Sequence, residues 1–383
     1  MYFTFKTSNK EFEQLTFEDF FRNFGRIIER KQSSKSSNYY NTKTLFITDQ
    51  NLLRNAFEKH KFTNNIIDIA GAIERMNEAL PNPLESYYET FQIPKHSGGM
   101  REINAPTGPL KVMQYKMLTL LQDKFMSLPH NSAYAYVPGR STKDALEVHQ
   151  KNNSKWFLHL DIKDFFPSCN QAFVQQQLKQ IFPYGYLTNQ AFDGIMELLK
   201  VCFLNDALPQ GTPVSPFLTN LIMLPIDDVL SKHFKDFAGQ NFVYTRYADD
   251  IILSCKYAFD YLLVENTVDI LFTTLNTPFK LKRTKTHYGS SAGRNWNLGL
   301  MLNKDNNITI GYKKKERIRA TLHAFIMDLK NGNHWSIIRI QEMQGLFSYY
   351  SKIEPEFVKD LFAKYSTKFE CNVKQLLKQE LKR

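Results

Sequence analysis

The sequence predicts an α+β protein: an antiparallel sheet backed by helices, with mainly helical stretches before and after it. Three observations carry that prediction. The run FVYTRYADDIILSC, Phe242 to Cys255, has apolar and β-branched residues on both sides of a short Ala248-Asp249-Asp250 tip, the pattern of a β-hairpin. The run WFLHLD, Trp156 to Asp161, reads as a buried strand ending on an acid. From Tyr312 onward the pattern is helical throughout, and it opens with Lys313, Lys314, Lys315, Arg317 and Arg319 within seven residues.

Composition narrows the class further. A chain of 383 residues is too long for one ordinary core, so two or three subdomains are expected. The abundance of aromatics (31 Phe, 19 Tyr) over 16 Gly and 15 Pro excludes disordered and fibrous classes. Lys and Arg number 49 against 38 Asp and Glu, a net charge of +11 that points to a polyanion: nucleic acid first, an acidic membrane surface second. The four cysteines, Cys169, Cys202, Cys255 and Cys371, form no C-x-x-C pair, so neither a zinc knuckle nor a disulfide framework is expected. The first residues carry no basic-then-apolar leader pattern, and no apolar run reaches membrane-spanning length. A cytoplasmic location without a membrane partner is the expectation.

Taken in order, residues 1–80 read as a mostly helical extension, with Phe17, Phe20, Phe21, Phe24, Ile27 and Ile28 on one face. A small polar linker at 32–42 follows, and further helical patterns then span Asp49 to His60 and Ile66 to Leu80. Residues 88–106 read as two strands joined at Ser97-Gly98-Gly99, with Lys95 and Arg101 beside the turn. These two are solvated hairpin charges or a basic flap over a triphosphate, where guanidinium suits bidentate phosphate contact. A helix from Leu110 to Met126 follows, then a loop whose Pro138-Gly139 turn presents Arg140, a surface arginine or a phosphate contact. Ser141 or Thr142 caps the next helix.

Past Asp161, Asp164 reads as a cap or supporting group, and residues 171–203 as helical. LPQGTPVSPFLTNLIMLPIDDVL then reads as a polar turn opening one long apolar helix, with Pro213 and Pro216 around its first turn. Beyond the hairpin come a helix at 260–277 and strands at Phe279 to Tyr288, Asn295 to Leu302 and Ile308 to Gly311.

An ionised Asp is costly to bury unpaired, which makes Asp161 a more telling acid than Asp164. With Asp249 and Asp250 it forms a set of acids at the ends of adjacent strands. Asp also favours turns for conformational reasons alone. Magnesium takes one or two carboxylates plus water and substrate phosphates, and two such ions can drive an in-line phosphoryl displacement.

The segments LDIKDFFPS, LPQGTPVSPFLTN, YTRYADDIILS, RTKTHYG and NLGLMLN occur in the order of the palm motifs of reverse transcriptases. The upstream KHSGGMREINAP and AYVPGRS resemble fingers motifs of the bacterial enzymes. The resemblance spans roughly residues 88–311 and is nearest to retron and related defence-associated reverse transcriptases. It implies a right-hand polymerase with fingers at 81–155, palm at 156–311 (a fingers insertion at about 171–205) and a helical basic thumb at 312–383. Asp161 and Asp249 would ligate two Mg2+ ions, with Asp250 assisting. Lys285 would protonate the leaving pyrophosphate. Phe166 would be the steric gate against a ribose 2′-hydroxyl, and Gln210 and Gly211 would contact the nucleotide and template pair. Lys95 and Arg101 would hold the triphosphate of a deoxynucleoside triphosphate, and Tyr247 would pack near the primer end. Arg140, Lys313, Lys314, Arg317 and Arg319 would contact nucleic acid.

The implied activity is RNA-directed DNA synthesis in anti-phage defence, on an RNA template expected to be noncoding. A second reverse transcriptase, an effector protein or another copy of the chain would be further partners. Two departures, Asn297-Leu298-Gly299 in place of Val-Thr-Gly and the lack of an Asn-Ala-x-x-His element, turn the expectation toward the wider defence group. The alternatives are a primer-independent or template-restricted DNA synthesiser and a nucleic-acid-binding structural subunit. Phe166 argues against ribonucleotide use, and three repelling acids argue against a purely structural role.

Overall fold

In the computed structural model, the structure describes residues 3–4, 44–45, 69–95, 98–124, 129–181, 184–187, 189–291 and 296–382. The helices expected over residues 17–28 and 49–60 lie outside these. What is described of the first 60 residues is a strand pair, β1 (Phe3–Thr4) with β2 (Thr44–Leu45), followed by α1 (Ile69–Ala79).

The centre is a four-stranded antiparallel sheet in the order β6-β7-β5-β8, made of β5 (Trp156–Asp161), β6 (Val243–Tyr247), β7 (Asp250–Cys255) and β8 (His287–Ser290). The two inner strands, β5 and β7, read as near-continuous apolar runs because both faces are covered. Side chains alternate along a strand, so Leu158, Leu160, Ile251 and Leu253 enter one hydrophobic cluster while Phe157 and Ile252 enter another. Helices α5 (Gln171–Leu178), α7 (Ser215–Ile222) and α8 (Leu224–Lys235) contribute Val174, Leu221 and Leu230 to the first cluster. Truncating a fully buried ring such as Phe157 to Ala would cost about 3–5 kcal/mol.

Before the sheet, β3 (Tyr88–Pro94) and β4 (Met100–Pro106) form the expected hairpin, with Gly98 and Gly99 at φ 84° and 82° supplying its left-handed turn. Then come α2 (Gly108–Thr119), α3 (Thr142–Lys151), the single turn α4 (Phe165–Ser168) and, after α5, α6 (Asn189–Leu199). Ser141 caps α3 in a reciprocal capping box with Asp144. After the sheet hairpin, α9 (Tyr261–Thr274) is followed by a small sheet of β9 (Trp296–Asn297), β10 (Leu300–Leu302) and β11 (Ile308–Thr309). Four helices end the chain: α10 (Tyr312–Lys330), α11 (Ile337–Ile353), α12 (Pro355–Phe369) and α13 (Val373–Lys382). They close over Leu322, Phe325, Ile340, Phe347 and Leu361 in the second cluster.

Three sequence expectations need correction. The helix expected after Gln210 is two helices that meet at Met223, where Pro225 enters the first turn of α8 and has no N–H to continue α7. Phe279 to Tyr288 is not one strand: Leu281 makes only a bridge to Ile162, and a 3-10 turn at Arg283–Lys285 precedes β8. Hydrogen bonds from Lys163 N to the Lys280 carbonyl (2.8 Å) and from Lys282 N to the Asp161 carbonyl (2.8 Å) bend this segment around the end of β5. Asp164 occupies the position before α4 at φ 48° but makes no side-chain capping bond.

Candidate active site

The register of the sheet assembles the acids. Asp161 ends β5 directly opposite Asp250, the first residue of β7, and Asp250 in turn faces Tyr247 at the end of β6. Directly opposed residues of an antiparallel pair share a face, so Tyr247, Asp250 and Asp161 lie in one row. Asp249 sits in the turn beside them, after Ala248 at φ 57°, and its carbonyl accepts from Ile162 N (2.9 Å).

The turn is held from beneath. Arg246, 1% exposed, donates bidentately to Asp227 of α8 (Nε to Oδ1 2.8 Å, Nη2 to Oδ2 2.7 Å) and to the Ala248 carbonyl (3.1 Å). The Tyr244 hydroxyl donates to the same Asp227 Oδ1 at 2.7 Å. A planar guanidinium suits this double recognition of a carboxylate and a carbonyl. Sequence reasoning passes over this pair because the acid lies on another element. Buried His149 of α3 is a second hidden fixture: one ring nitrogen is 2.6 Å from Ser254 Oγ on β7 and the other 2.8 Å from Thr245 Oγ1 on β6. Burial pushes its pKa down to about 3, so it sits neutral between two hydroxyls.

Lys285, delivered by the 3-10 turn, pairs with Asp161 Oδ2 at 2.5 Å. Burial works against its charge, but the hydrogen bond to Asp161 and the nearby Asp249 and Asp250 outweigh it, and its pKa lies above the ordinary lysine value. Burial also raises the carboxyl pKa values of Asp249 and Asp250, with neighbouring acids adding to it; Asp250 is pushed up to about 7. The cluster thus holds more negative charge than Lys285 balances, which suits it to a cation. Among the described residues no three carboxylate, imidazole or thiolate groups are drawn into a ready-made metal cage. The donor set still fits magnesium, which fills its shell with water and substrate phosphates around one or two carboxylates.

The other expected site residues fall in three places. Phe166 is 8% exposed at the start of α4, edge-on to Phe165 and to Tyr136. Gln210 and Gly211 lie against the β3–β4 hairpin: Asn104 N donates to the Gln210 carbonyl (2.8 Å), and a Cβ on Gly211, at φ 105°, would lie 2.5 Å from Ile103 Cγ2. Only glycine fits there. Arg101, exposed on that hairpin, is close enough for its charge to act on Asp249, while Lys95 is exposed at the hairpin tip.

Arg140 departs from expectation. Its guanidinium donates to the carbonyls of His130 (2.7 Å) and Ala133 (2.6 Å), so it pins its own loop rather than presenting itself to a phosphate. On α10, Lys313 and Arg317 are exposed, but Lys314 donates to the Gly299 carbonyl and Arg319 pairs with Glu316 at 2.5 Å. Half of that basic set is thus already engaged by the chain itself.

No helix among the described residues is long and apolar enough to cross a membrane. A family model described as reverse transcriptase (RNA-dependent DNA polymerase) matches residues 93–321. The chain is 30% identical over 282 residues to the retron Ec73 reverse transcriptase of Escherichia coli, covering 72% of this chain and 86% of that one. It is 30% identical over 301 residues to the retron Mx65 reverse transcriptase of Myxococcus xanthus, covering 75% and 66% respectively. A solved telomerase structure from Candida albicans with a fragment of telomeric RNA aligns at 12% identity and a TM-score of 0.43, over 76% of this chain and 65% of that one, a likeness too distant to carry an argument. The departures at Asn297-Leu298-Gly299 and in the Asn-Ala-x-x-His element therefore coexist with retron enzymes among the relatives. A motif series in family order, its acids gathered at one sheet end, and a family model spanning more than half of the sequence lead to one conclusion: the chain belongs to the reverse transcriptase family of RNA-dependent DNA polymerases.

Proposed function

We propose that this RNA-directed DNA polymerase copies a noncoding RNA into DNA as part of a bacterial anti-phage defence, in the cytoplasm. The observation that carries the chemistry is the row Tyr247, Asp250 and Asp161 across β6, β7 and β5, with Asp249 in the adjoining turn and Lys285 on Asp161. Asp161 and Asp249, assisted by Asp250, would hold two magnesium ions, whose charge lowers the barrier to 3′-hydroxyl attack and to pyrophosphate departure.

The rest of the work falls to the chain. Lys285, held on Asp161, keeps its proton at neutral pH and would give it to a leaving phosphate oxygen. Arg101, with Lys95 at the hairpin tip, binds the triphosphate; Gln210 and Gly211 line the nucleotide, and Tyr247 supports the primer end. Phe166 fills the space that a ribose 2′-hydroxyl needs. Residues 81–155 act as fingers, 156–311 as palm with the insertion at about 171–205, and 312–383 as thumb. The retron relatives support a template supplied as a dedicated RNA.

The test is to purify the protein with its bound nucleic acid, add magnesium and labelled deoxynucleotides, and sequence both RNA and product. DNA complementary to one enriched RNA species, lost on RNase pretreatment, is the expected result. Product complementary to bulk cellular RNA would overturn the dedicated template. Unchanged phage plating on cells expressing the protein and its RNA would overturn the defence role.

A further inference from the structure

Tyr136 has no place in the chemistry described so far, yet its surroundings are unusual. Its ring is 52% exposed and its backbone is left-handed at φ 58°, a conformation that bulky side chains rarely adopt. The loop that carries it is fixed at several points. Tyr134 N donates to the Arg246 carbonyl (2.9 Å), and Arg246 N donates to the Ser132 carbonyl (2.7 Å). Arg140 holds the carbonyls of His130 and Ala133. Asn220, 2% exposed on α7, donates to the carbonyl of Ala135, the residue next to Tyr136 (2.7 Å). A side chain held at positive φ by so many anchors is being aimed.

Its target is Phe166. The two ring centroids are 6.4 Å apart at 67°, an edge-to-face contact. Phe166 also meets Phe165, at 5.5 Å and 69°, and Phe165 belongs to the core. Phe166 is thus in contact with one core ring, Phe165, and with one half-exposed ring, Tyr136. The Tyr136 hydroxyl lies within the field of Asp249, Tyr247 and Arg101, which places the residue at the rim of the active site.

We propose that Tyr136 is a positioning residue for sugar selection, holding the Phe166 ring in the attitude that excludes a 2′-hydroxyl. The proposal rests on the reading of Phe166 as the gate. An aromatic gate discriminates only while it cannot swing aside, and the edge-to-face contact with Tyr136 supplies that constraint. The contact uses the ring, so the hydroxyl is dispensable.

Single-nucleotide incorporation on an RNA template, with matched deoxy- and ribonucleotides, tests this through the ratio of their kcat/KM values. Tyr136→Ala is expected to lower the deoxy-over-ribo ratio at least tenfold, through a lower ribonucleotide KM, whereas Tyr136→Phe keeps the ratio within twofold. Added to Phe166→Ala, Tyr136→Ala should change the ratio no further, because the two act as one unit. Tyr136→Gly, which the left-handed backbone accepts, serves as the second truncation should the Ala variant fold poorly. If Phe166→Ala relaxes selectivity and neither Tyr136 truncation does, the brace is overturned while the gate stands. A Tyr136→Phe variant as relaxed as Ala would overturn the ring contact as the cause. Unchanged selectivity in Phe166→Ala would remove the gate itself.

Discussion

The sheet end and the first of the C-terminal helices both carry dense charge, and they hold it differently. At the sheet end each charged group has a fixed counterpart or a fixed opponent: Asp161 on Lys285, Asp227 on Arg246, Asp249 next to Asp250. On α10 the basic residues run along a helix that enters the second core through Ile318 and Leu322. Lys315 pairs with Glu354 at 2.5 Å, and Lys313 and Arg317 are exposed. The difference teaches that position matters at the sheet end, where one atom changes the outcome, and number matters on α10, where effects add in small steps.

The largest break should come at the turn. Asp249→Asn is isosteric and removes one charge from a cluster read as the metal site. Incorporation should fall roughly a thousandfold, the scale of several kcal/mol of lost charge stabilisation. The melting temperature should stay level or rise, because burial, and after it the charge of Asp161, already disfavours the ionised acid. Activity within tenfold of wild type would remove Asp249 from the site.

Beneath the turn the effect should be on stability. Arg246→Ala leaves Asp227 buried without its counter-charge, held only by the Tyr244 hydroxyl, and releases the Ala248 carbonyl, at a cost of about 3–5 kcal/mol. Chemical denaturation would read this as a shifted midpoint. An unchanged midpoint would mean that the pair does not secure the hairpin.

His149 gives the comparison a pH axis. Its folded pKa, about 3, lies below the ordinary histidine value, so its contribution is fully present above about pH 6.5 and is lost as pH falls toward 3. Wild-type stability should therefore decline by about 1.4 kcal/mol per pH unit below pH 6.5 from this group alone. His149→Gln, tested by denaturation between pH 5 and pH 7, should flatten that limb. An equal slope in both proteins would assign the acid sensitivity elsewhere.

What the sequence exposes and what it hides follow from the range of the forces involved. The hairpin, the strand ending in Asp161 and the capping box at Ser141 are written in adjacent residues, through the period of two and the spacing of three. Arg246 is hidden because its partner lies on α8, and a strand arginine before a turn looks solvated. His149 is hidden because its hydroxyl partners sit 96 and 105 residues away. The register placing Asp161 opposite Asp250 has no local signature either, since strand order is decided by packing on both faces of the sheet. Arg140 misleads for a related reason: a loop arginine looks free until the loop folds back and offers it carbonyls.

The smallest effects should come from α10, and the structure divides its charges into two tests. Lys313 and Arg317 are exposed, whereas Lys314 is on the Gly299 carbonyl and Arg319 on Glu316, with the Phe357 ring 5.3 Å away. Charges that meet phosphate release counterions, so each lost duplex contact flattens the slope of log affinity against log salt by up to about 0.9. Lys313→Gln with Arg317→Gln should flatten it by up to about 1.8 and shorten products, while leaving single-nucleotide addition intact at saturating template. Lys314→Gln with Arg319→Gln should change the slope less, because these side chains must first leave partners within the protein. The two double variants, measured by salt titration on one primer–template, separate the possibilities. Equal flattening would mean the internal contacts are given up on binding, so that all four charges serve the duplex. No flattening in either variant would return α10 to a solvated helix face, and duplex grip would then have to be sought on another element.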